Sequence, residues 1–229
     1  MFFDPMYFIF ALPALLLGLY AQYKVKAAFN KYLQVPNRSG MTGMEAAQRL
    51  LRNHGMGQVS LSETGGQLSD HYDPRNNSLH LSQPVARTAS VASLGIVAHE
   101  IGHAMQKRDN YLPMTLRSAI VPVVQIGSWV GPLLFIAGLL LALTDLSWIG
   151  LLLFSGTLVF SLVTLPVEFD ASNRAVAMLS QSGLIASAEE EKGVRAVLSG
   201  AALTYVAAAV QSLMTILYYV FLLTGRRRR

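Results

Sequence analysis

Residues 118–167 read SAIVPVVQIGSWVGPLLFIAGLLLALTDLSWIGLLLFSGTLVFSLVTLPV, and Asp145 is the only charged residue among them. A helix needs about 20 apolar residues to cross the hydrocarbon core of a membrane. This stretch therefore predicts two membrane-spanning helices, at about residues 118–144 and 146–167, joined by a very short turn. Two further uncharged stretches, at about residues 5–23 and 200–223, raise the predicted number of spans to four.

The composition agrees with a membrane protein. Hydrophobic residues make up 52% of the 229 residues and charged residues only 14%, whereas about a quarter of a soluble domain is charged. The net charge is +5, but most basic residues are scattered, which favours contact with a lipid bilayer over binding to nucleic acid. Cysteine is absent, so any bound metal must have His, Asp or Glu ligands.

The first uncharged stretch has two interpretations, a retained anchor or a cleaved signal peptide. No basic residue precedes it and no A-x-A cleavage site follows it, which favours the anchor. Four spans place the polar segments 24–117 and 168–199 on the same side of the membrane. Lys24, Lys26 and Lys31 follow the first span, so the positive-inside rule predicts that this side is cytoplasmic, although the terminal run 226–229 of arginines opposes that orientation.

A metal-binding motif, His99-Glu100-Ile101-Gly102-His103, precedes the two central spans. Residues four apart share one face of a helix, so His99 and His103 can direct both imidazoles at one ion. This is the H-E-x-x-H arrangement of zinc metallopeptidases, in which the glutamate, here Glu100, is the general base. Catalytic zinc takes three protein ligands and keeps one position for water, so one ligand is missing from the motif.

The missing ligand is expected in the second polar segment. Glu168 directly follows the apolar stretch, where an acidic side chain is costly unless it has a partner, and it is the predicted third ligand. Asp170 is the competing candidate, although two residues further along a helix it faces another direction. The acidic run 189–191 is more typical of a solvated helix start.

The polar segment 24–117 is predicted to contain both helices and strands. Thr42 and Glu45 form a capping box ahead of a helix over 44–53. Alternating residues and turn signals between 58 and 82 predict a small, strongly twisted antiparallel sheet or hairpin. A helix from about Thr88 to Arg108 then contains the His-Glu motif. The expected fold is one α-helical integral membrane domain over residues 1–229, with four spans and a zincin-like α+β catalytic subdomain.

Other polar residues are candidates for stabilising the transition state. His71, Tyr72, His80 and Arg174 could donate to a tetrahedral oxyanion. Histidines in such positions are more often ordinary surface or packing residues. Asp170 and Arg174, four residues apart, could form only a local ion pair.

The chain resembles the YugP-like family of membrane zinc metallopeptidases. The matching stretches are DHYDPRNNSLHLS at 70–82, VAHEIGHAMQ at 97–106 and LPVEFDASNRA at 165–175. More distantly it is similar to HtpX-type and CAAX-processing membrane proteases, which have a glutamate ligand within an E-F-x-A-D pattern. The resemblance implies that His99, His103 and Glu168 bind zinc and that Glu100 is the base. That E-F-x-A-D pattern has an acidic residue four positions after the ligand glutamate, whereas this chain has Ser172 there. The difference puts the orientation of one ligand histidine in question.

The resulting hypothesis is a membrane-embedded endopeptidase with one Zn²⁺ per chain that hydrolyses peptides or membrane proteins. One alternative is a non-proteolytic scaffold or adaptor in which protein ligands fill every coordination position of the metal. Another is a small transporter or channel with an incidental motif, but such a function usually requires ionisable residues within the spans, and the four predicted spans contain none.

Overall fold

The computed structural model describes residues 5–226, so Arg227, Arg228 and Arg229 of the terminal arginine run lie outside the described residues. Helices dominate the structure, and three short strands lie together between the second and third helices. The elements in chain order are α1 (Pro5–Leu33), α2 (Gly43–Asn53), β1 (Ser60–Thr64), β2 (His71–Asp73), β3 (Ser78–Ser82), α3 (Gln83–Arg87), α4 (Val91–Arg108), α5 (Leu112–Leu140), α6 (Thr144–Gln181) and α7 (Ala188–Arg226).

The chain forms two compact units, each assembled from segments that are distant in sequence. The apolar unit contains α1 up to Gln22, Leu112–Pro166, and α7 from Thr204 onward. The polar unit contains Tyr23–Tyr111 and Val167–Leu203. Both predicted polar segments therefore contribute to a single unit.

Among residues 5–226, four helices, α1, α5, α6 and α7, are long and apolar enough to cross a membrane. Within the apolar unit, α5 and α6 pack with little separation: a Cβ on Gly150 would lie within 2.5 Å of Gly131 O. The Ser147 hydroxyl donates to Phe135 O at 3.1 Å. Such contacts between small residues are typical of helices that associate in lipid. Helices α1, α6 and α7 extend beyond their apolar stretches into the polar unit.

The polar unit has a hydrophobic core between α2, α4 and the sheet. Leu50 of α2, Leu79 and Leu81 of β3, and Leu94 and Ile101 of α4 are at most 1% exposed. The predicted capping box is present on α2: the Thr42 hydroxyl accepts from Glu45 N–H, and the Glu45 carboxylate accepts from Thr42 N–H at 2.8 Å. This core holds α4, the helix with the His-Glu motif, in a fixed position.

The sheet is mixed, which corrects the prediction of an antiparallel sheet. The strand order is β1-β3-β2; β2 and β3 form an antiparallel pair, whereas β1 runs parallel to β3. The connection from β1 to β2 contains Gly66 (φ 92°) and Leu68 (φ 55°), two left-handed residues. They allow the chain to leave β1 and return on the opposite edge of β3, so β3 becomes the buried central strand.

Candidate metal centre

Helix α4 presents the two histidines of the motif on one face. Ser90 caps the helix, with its hydroxyl accepting from Ser93 N–H at 3.1 Å. The helix is unbroken through position 108, so His99 and His103 lie one turn apart. Their ring centroids are 4.7 Å apart and the ring planes are inclined by 81°.

Helix α6 brings Glu168 to the same place. Glu168 Oε2 lies 3.3 Å from His99 Nε2 and 3.6 Å from His103 Nε2. One ligand atom from each of the three residues lies within 4.8 Å of the others. The Glu168 side chain is only 3% exposed, so the two imidazoles are its partners in a buried environment.

The spacing of these three atoms suits a small tetrahedral ion. Zinc binds imidazole nitrogen and carboxylate oxygen at about 2.0–2.2 Å, which separates two tetrahedral ligands by about 3.4 Å. The observed 3.3 Å and 3.6 Å separations are close to this value. Two imidazoles and one carboxylate are also a donor set used by catalytic zinc. His99, His103 and Glu168 could therefore hold such an ion with little rearrangement.

Gln106 determines which nitrogen of His103 carries the proton. The Gln106 amide nitrogen donates to Val167 O at 2.7 Å and to Asp170 Oδ2 at 2.8 Å, so both amide hydrogens are used. Gln106 Oε1 can then only accept, and it lies 3.0 Å from His103 Nδ1. In the neutral ring the proton must therefore be on Nδ1, which leaves the Nε2 lone pair facing Glu168.

Ser172 is the corresponding neighbour of His99. Its hydroxyl oxygen lies 3.3 Å from His99 Nδ1. If that nitrogen donates, His99 Nε2 also keeps its lone pair toward Glu168. This hydroxyl makes a weaker contact with the imidazole than a carboxylate would.

Asp170 and Arg174 belong to a hydrogen-bond network behind the cluster. Asp170 Oδ2 accepts from Gln106 and, at 2.7 Å, from Arg174 Nε. Arg174 also donates to Asp109 Oδ2 at 2.6 Å. Hydrogen bonds from Arg108 and Arg174 hold the pKa of Asp109 below its ordinary value. This network links the C-terminal end of α4 to α6, and Asp170 contacts the cluster through Gln106.

Glu100 is held beside the cluster by the sheet. Its Oε2 accepts from the backbone N–H of Tyr72 at 2.9 Å, and the residue is 9% exposed. Burial raises the pKa of the Glu100 carboxyl above its ordinary value, and the neighbouring His103 and His99 oppose that shift. A carboxylate with a raised pKa is suited to accept a proton and release it again.

Three of the predicted polar candidates have other partners. His71 and His80 stack across β2 and β3 at 4.6 Å, and both ring nitrogens of His80 contact the hydroxyls of Ser62 and Ser78. The Tyr72 hydroxyl donates to Asn77 Oδ1 at 2.6 Å. Among residues 5–226, the converging group of potential metal ligands includes neither His71 nor His80.

Sequence reasoning missed two contacts of this site. Gln106 lies three residues after His103, a spacing that places both on one helical face, so its position was a usable signal. The contact between Glu100 and Tyr72 uses a backbone N–H, and side-chain patterns give no indication of it. In this site Tyr72 acts through its main chain.

Comparisons with known proteins also suggest zinc. The family model described as "Putative neutral zinc metallopeptidase" matches residues 7–224. A protein of Bacillus subtilis (strain 168) named "Putative membrane protease YugP" is 46% identical over 223 residues, which cover 96% of this chain and 99% of that protein. No solved structure matches the chain.

Proposed function

The chain belongs to the family described as "Putative neutral zinc metallopeptidase", and from this premise we propose that it is a membrane-embedded, zinc-dependent endopeptidase. The observation that supports the proposal best is the convergence of His99, His103 and Glu168 beside a buried carboxylate, Glu100. This is the combination of ligands and base that metal-assisted peptide hydrolysis requires.

His99, His103 and Glu168 would hold one Zn²⁺ per chain. Zinc bound there lowers the pKa of a water molecule to about 7 and polarises a carbonyl group. Gln106 and Ser172 orient the two imidazoles through their Nδ1 atoms. The ligand atoms are thereby arranged before the ion binds, which reduces the cost of assembling the site.

Glu100 is the proposed general base. The Tyr72 N–H fixes Oε2, which leaves Oε1 available to take a proton from the attacking water. The same carboxyl then delivers that proton to the nitrogen of the leaving amine. The attack forms the bond from the water oxygen to the carbonyl carbon, and the C–N bond breaks when the amine is protonated.

The donor count favours an enzyme over the alternative of a metal-binding scaffold. Structural zinc sites are closed by four protein ligands, whereas catalytic sites use three. Among the described residues, the converging group has three members. The fourth position is then available to water and substrate, as hydrolysis requires.

The proposed location is the cell membrane, with α1, α5, α6 and α7 as spans and the polar unit on the cytoplasmic side. The length and apolarity of these helices support the spans, and Lys24, Lys26 and Lys31 support the orientation. The proposed substrates are peptides or membrane proteins at the bilayer surface. We propose that the polar unit is the zincin-like catalytic subdomain, since its helix α4, which contains the motif, lies beside a small sheet.

Metal-dependent cleavage tests the proposal directly. The full-length protein, purified in detergent, is incubated with an unfolded membrane protein before chelation, after chelation and after addition of Zn²⁺. We expect new internal peptide termini, identified by mass spectrometry, that disappear on chelation and return with zinc. Cleavage that continues unchanged in the chelated protein would exclude zinc-dependent hydrolysis, and stoichiometric zinc with no cleavage of any unfolded substrate would favour the scaffold.

A further inference from the structure

A groove of about 470 Å³ lies within the polar unit, between α1 and α7. Helix α1 contributes Lys24, Ala28 and Lys31 to its lining. Helix α7 contributes Ala196, Gly200 and Leu203. None of these residues belongs to the proposed metal centre, so the groove is a separate feature of the molecule.

Small side chains at helical spacing create the groove. Residues 24, 28 and 31 share one face of α1, and residues 196, 200 and 203 share one face of α7, because each set follows the spacing of three and four residues. The middle positions are alanine and glycine. A Cβ on Gly200 would lie 3.2 Å from Val25 Cα, so the two helices approach closely there while the alanines leave the groove open.

The groove combines positive charge with apolar walls. Lys24 and Lys31 are separated by seven residues, about 10 Å along the helix. The wall between and opposite them is mostly alanine, glycine and leucine, with Tyr32 and Ser199 as its other members. No acidic residue is among the lining residues described for this groove. A complementary ligand would carry a negative charge next to an apolar segment.

We propose that this groove binds an anionic phospholipid, with the phosphate at Lys24 and Lys31 and the adjoining acyl segment against the α7 wall. Lys24 directly follows the uncharged stretch 5–23 along α1, and Leu203 lies near the beginning of the uncharged stretch 200–223 of α7. In the proposed topology these positions are at headgroup level, where lysines attract anionic lipids. The inference depends on membrane insertion but not on peptidase activity.

Native mass spectrometry of the full-length protein in neutral detergent tests this site. The probes are phosphatidylglycerol and, for comparison, zwitterionic phosphatidylcholine with the same acyl chains. We expect preferential retention of phosphatidylglycerol, reduced about tenfold or more in Lys24→Gln/Lys31→Gln, since each lysine that contacts the headgroup contributes roughly fivefold. The matched control is Lys26→Gln, which removes an exposed charge of the same helix outside the groove and should change retention less than twofold.

A second variant separates a defined groove from general surface charge. Ala196→Leu fills the groove but keeps both lysines, and it should also reduce phosphatidylglycerol retention about tenfold while zinc content and thermal unfolding stay unchanged. Equal losses in Lys26→Gln and the double variant, or full retention in Ala196→Leu, would overturn the site. Displacement of phosphatidylglycerol by inorganic phosphate would overturn the lipid assignment in favour of a free-phosphate site.

Discussion

Gly102 of α4 lies directly against the backbone of Ala171 of α6. A Cβ at position 102 would be 2.7 Å from Ala171 O and 3.2 Å from Ala171 Cα. Because both are backbone atoms, this steric clash can be relieved only if one of the two helices moves. The glycine of the His-Glu motif therefore sets the separation of the two helices. Because Glu168 lies one turn before Ala171, this separation determines how far its carboxylate reaches toward the histidines.

Gly102→Ala is expected to weaken zinc binding and to destabilise the protein. Alanine is favoured over glycine within a helix by about 1 kcal/mol, but overpacking between two helices typically costs about 1–3 kcal/mol, so the net effect is unfavourable. Zinc affinity from chelator competition should fall about tenfold or more, because α6 must move away. Thermal unfolding gives the stability change.

Gly95→Ala in the same helix is the matched control. A Cβ at position 95 would meet the Cγ1 atom of Val194 at 3.3 Å, and a side chain can adjust by a few tenths of an ångström. We expect zinc affinity close to that of the parent and stability equal or slightly higher. If Gly102→Ala matches this control in zinc affinity, the helix separation does not control the site.

Glu168→Ala should remove the third ligand. Zinc retained after dialysis, measured by elemental analysis, is expected to drop from about one per chain to near zero. The loss in affinity should exceed the roughly 10- to 100-fold typical of changes outside the ligand set. Glu189→Ala removes an exposed acid of the same polar segment and should leave zinc content unchanged. Full zinc occupancy in Glu168→Ala would place the third ligand elsewhere.

Glu100→Gln separates metal binding from catalysis. The amide keeps an oxygen for the Tyr72 N–H but cannot accept a proton, so zinc content should remain and kcat/KM for peptide cleavage should fall by about 10²–10⁴-fold. Glu63→Gln, at an exposed ion pair with Arg87, is the carboxamide control and should cleave like the parent. A Glu100→Gln protein with parental activity would disprove the assignment of the general base.

Two features of the site could be predicted from the sequence: the spacing of residues within one helix and the presence of an acidic residue beside an apolar stretch. The four-residue interval between His99 and His103 placed both rings on one face, and the cost of an unpaired acid beside an apolar stretch identified Glu168. The direction of β1 was predicted incorrectly, and the connection that follows it has a left-handed backbone at Gly66 and Leu68. Leucine rarely adopts that conformation, so its identity gave no signal.

The orientation of the ligand histidines depended on contacts between distant segments. Gln106 reaches Val167 and Asp170 across more than sixty residues, and no periodicity encodes such a pairing. The pattern of Asp170 and Arg174 predicted their ion pair, but not that Asp170 fixes the amide beside His103. Long-range hydrogen bonds of this kind become visible only when α4 and α6 are packed together.

Gln106→Met tests the role of that amide. Methionine has a similar length but leaves His103 Nδ1, Val167 O and Asp170 Oδ2 without their present partner. We expect zinc affinity to fall about 10- to 100-fold and stability to decrease by about 1–3 kcal/mol from the unpaired buried groups. Gln48→Met, at an exposed position of α2, should change neither. Unchanged zinc affinity in Gln106→Met would show that His103 is oriented without the amide.

Ser172→Asp should strengthen the site, since it places an acid next to the other ligand histidine, His99. The Ser172 hydroxyl contacts His99 Nδ1 at 3.3 Å, a long hydrogen bond between neutral groups. A carboxylate in that place accepts more strongly, by about 1 kcal/mol over a neutral acceptor, which corresponds to roughly fivefold tighter zinc binding in chelator competition. Ser172→Ala removes the contact and should weaken zinc binding by a comparable factor. Because the two substitutions should move the affinity in opposite directions, equal affinities in parent, Ser172→Ala and Ser172→Asp would mean that position 172 does not orient His99.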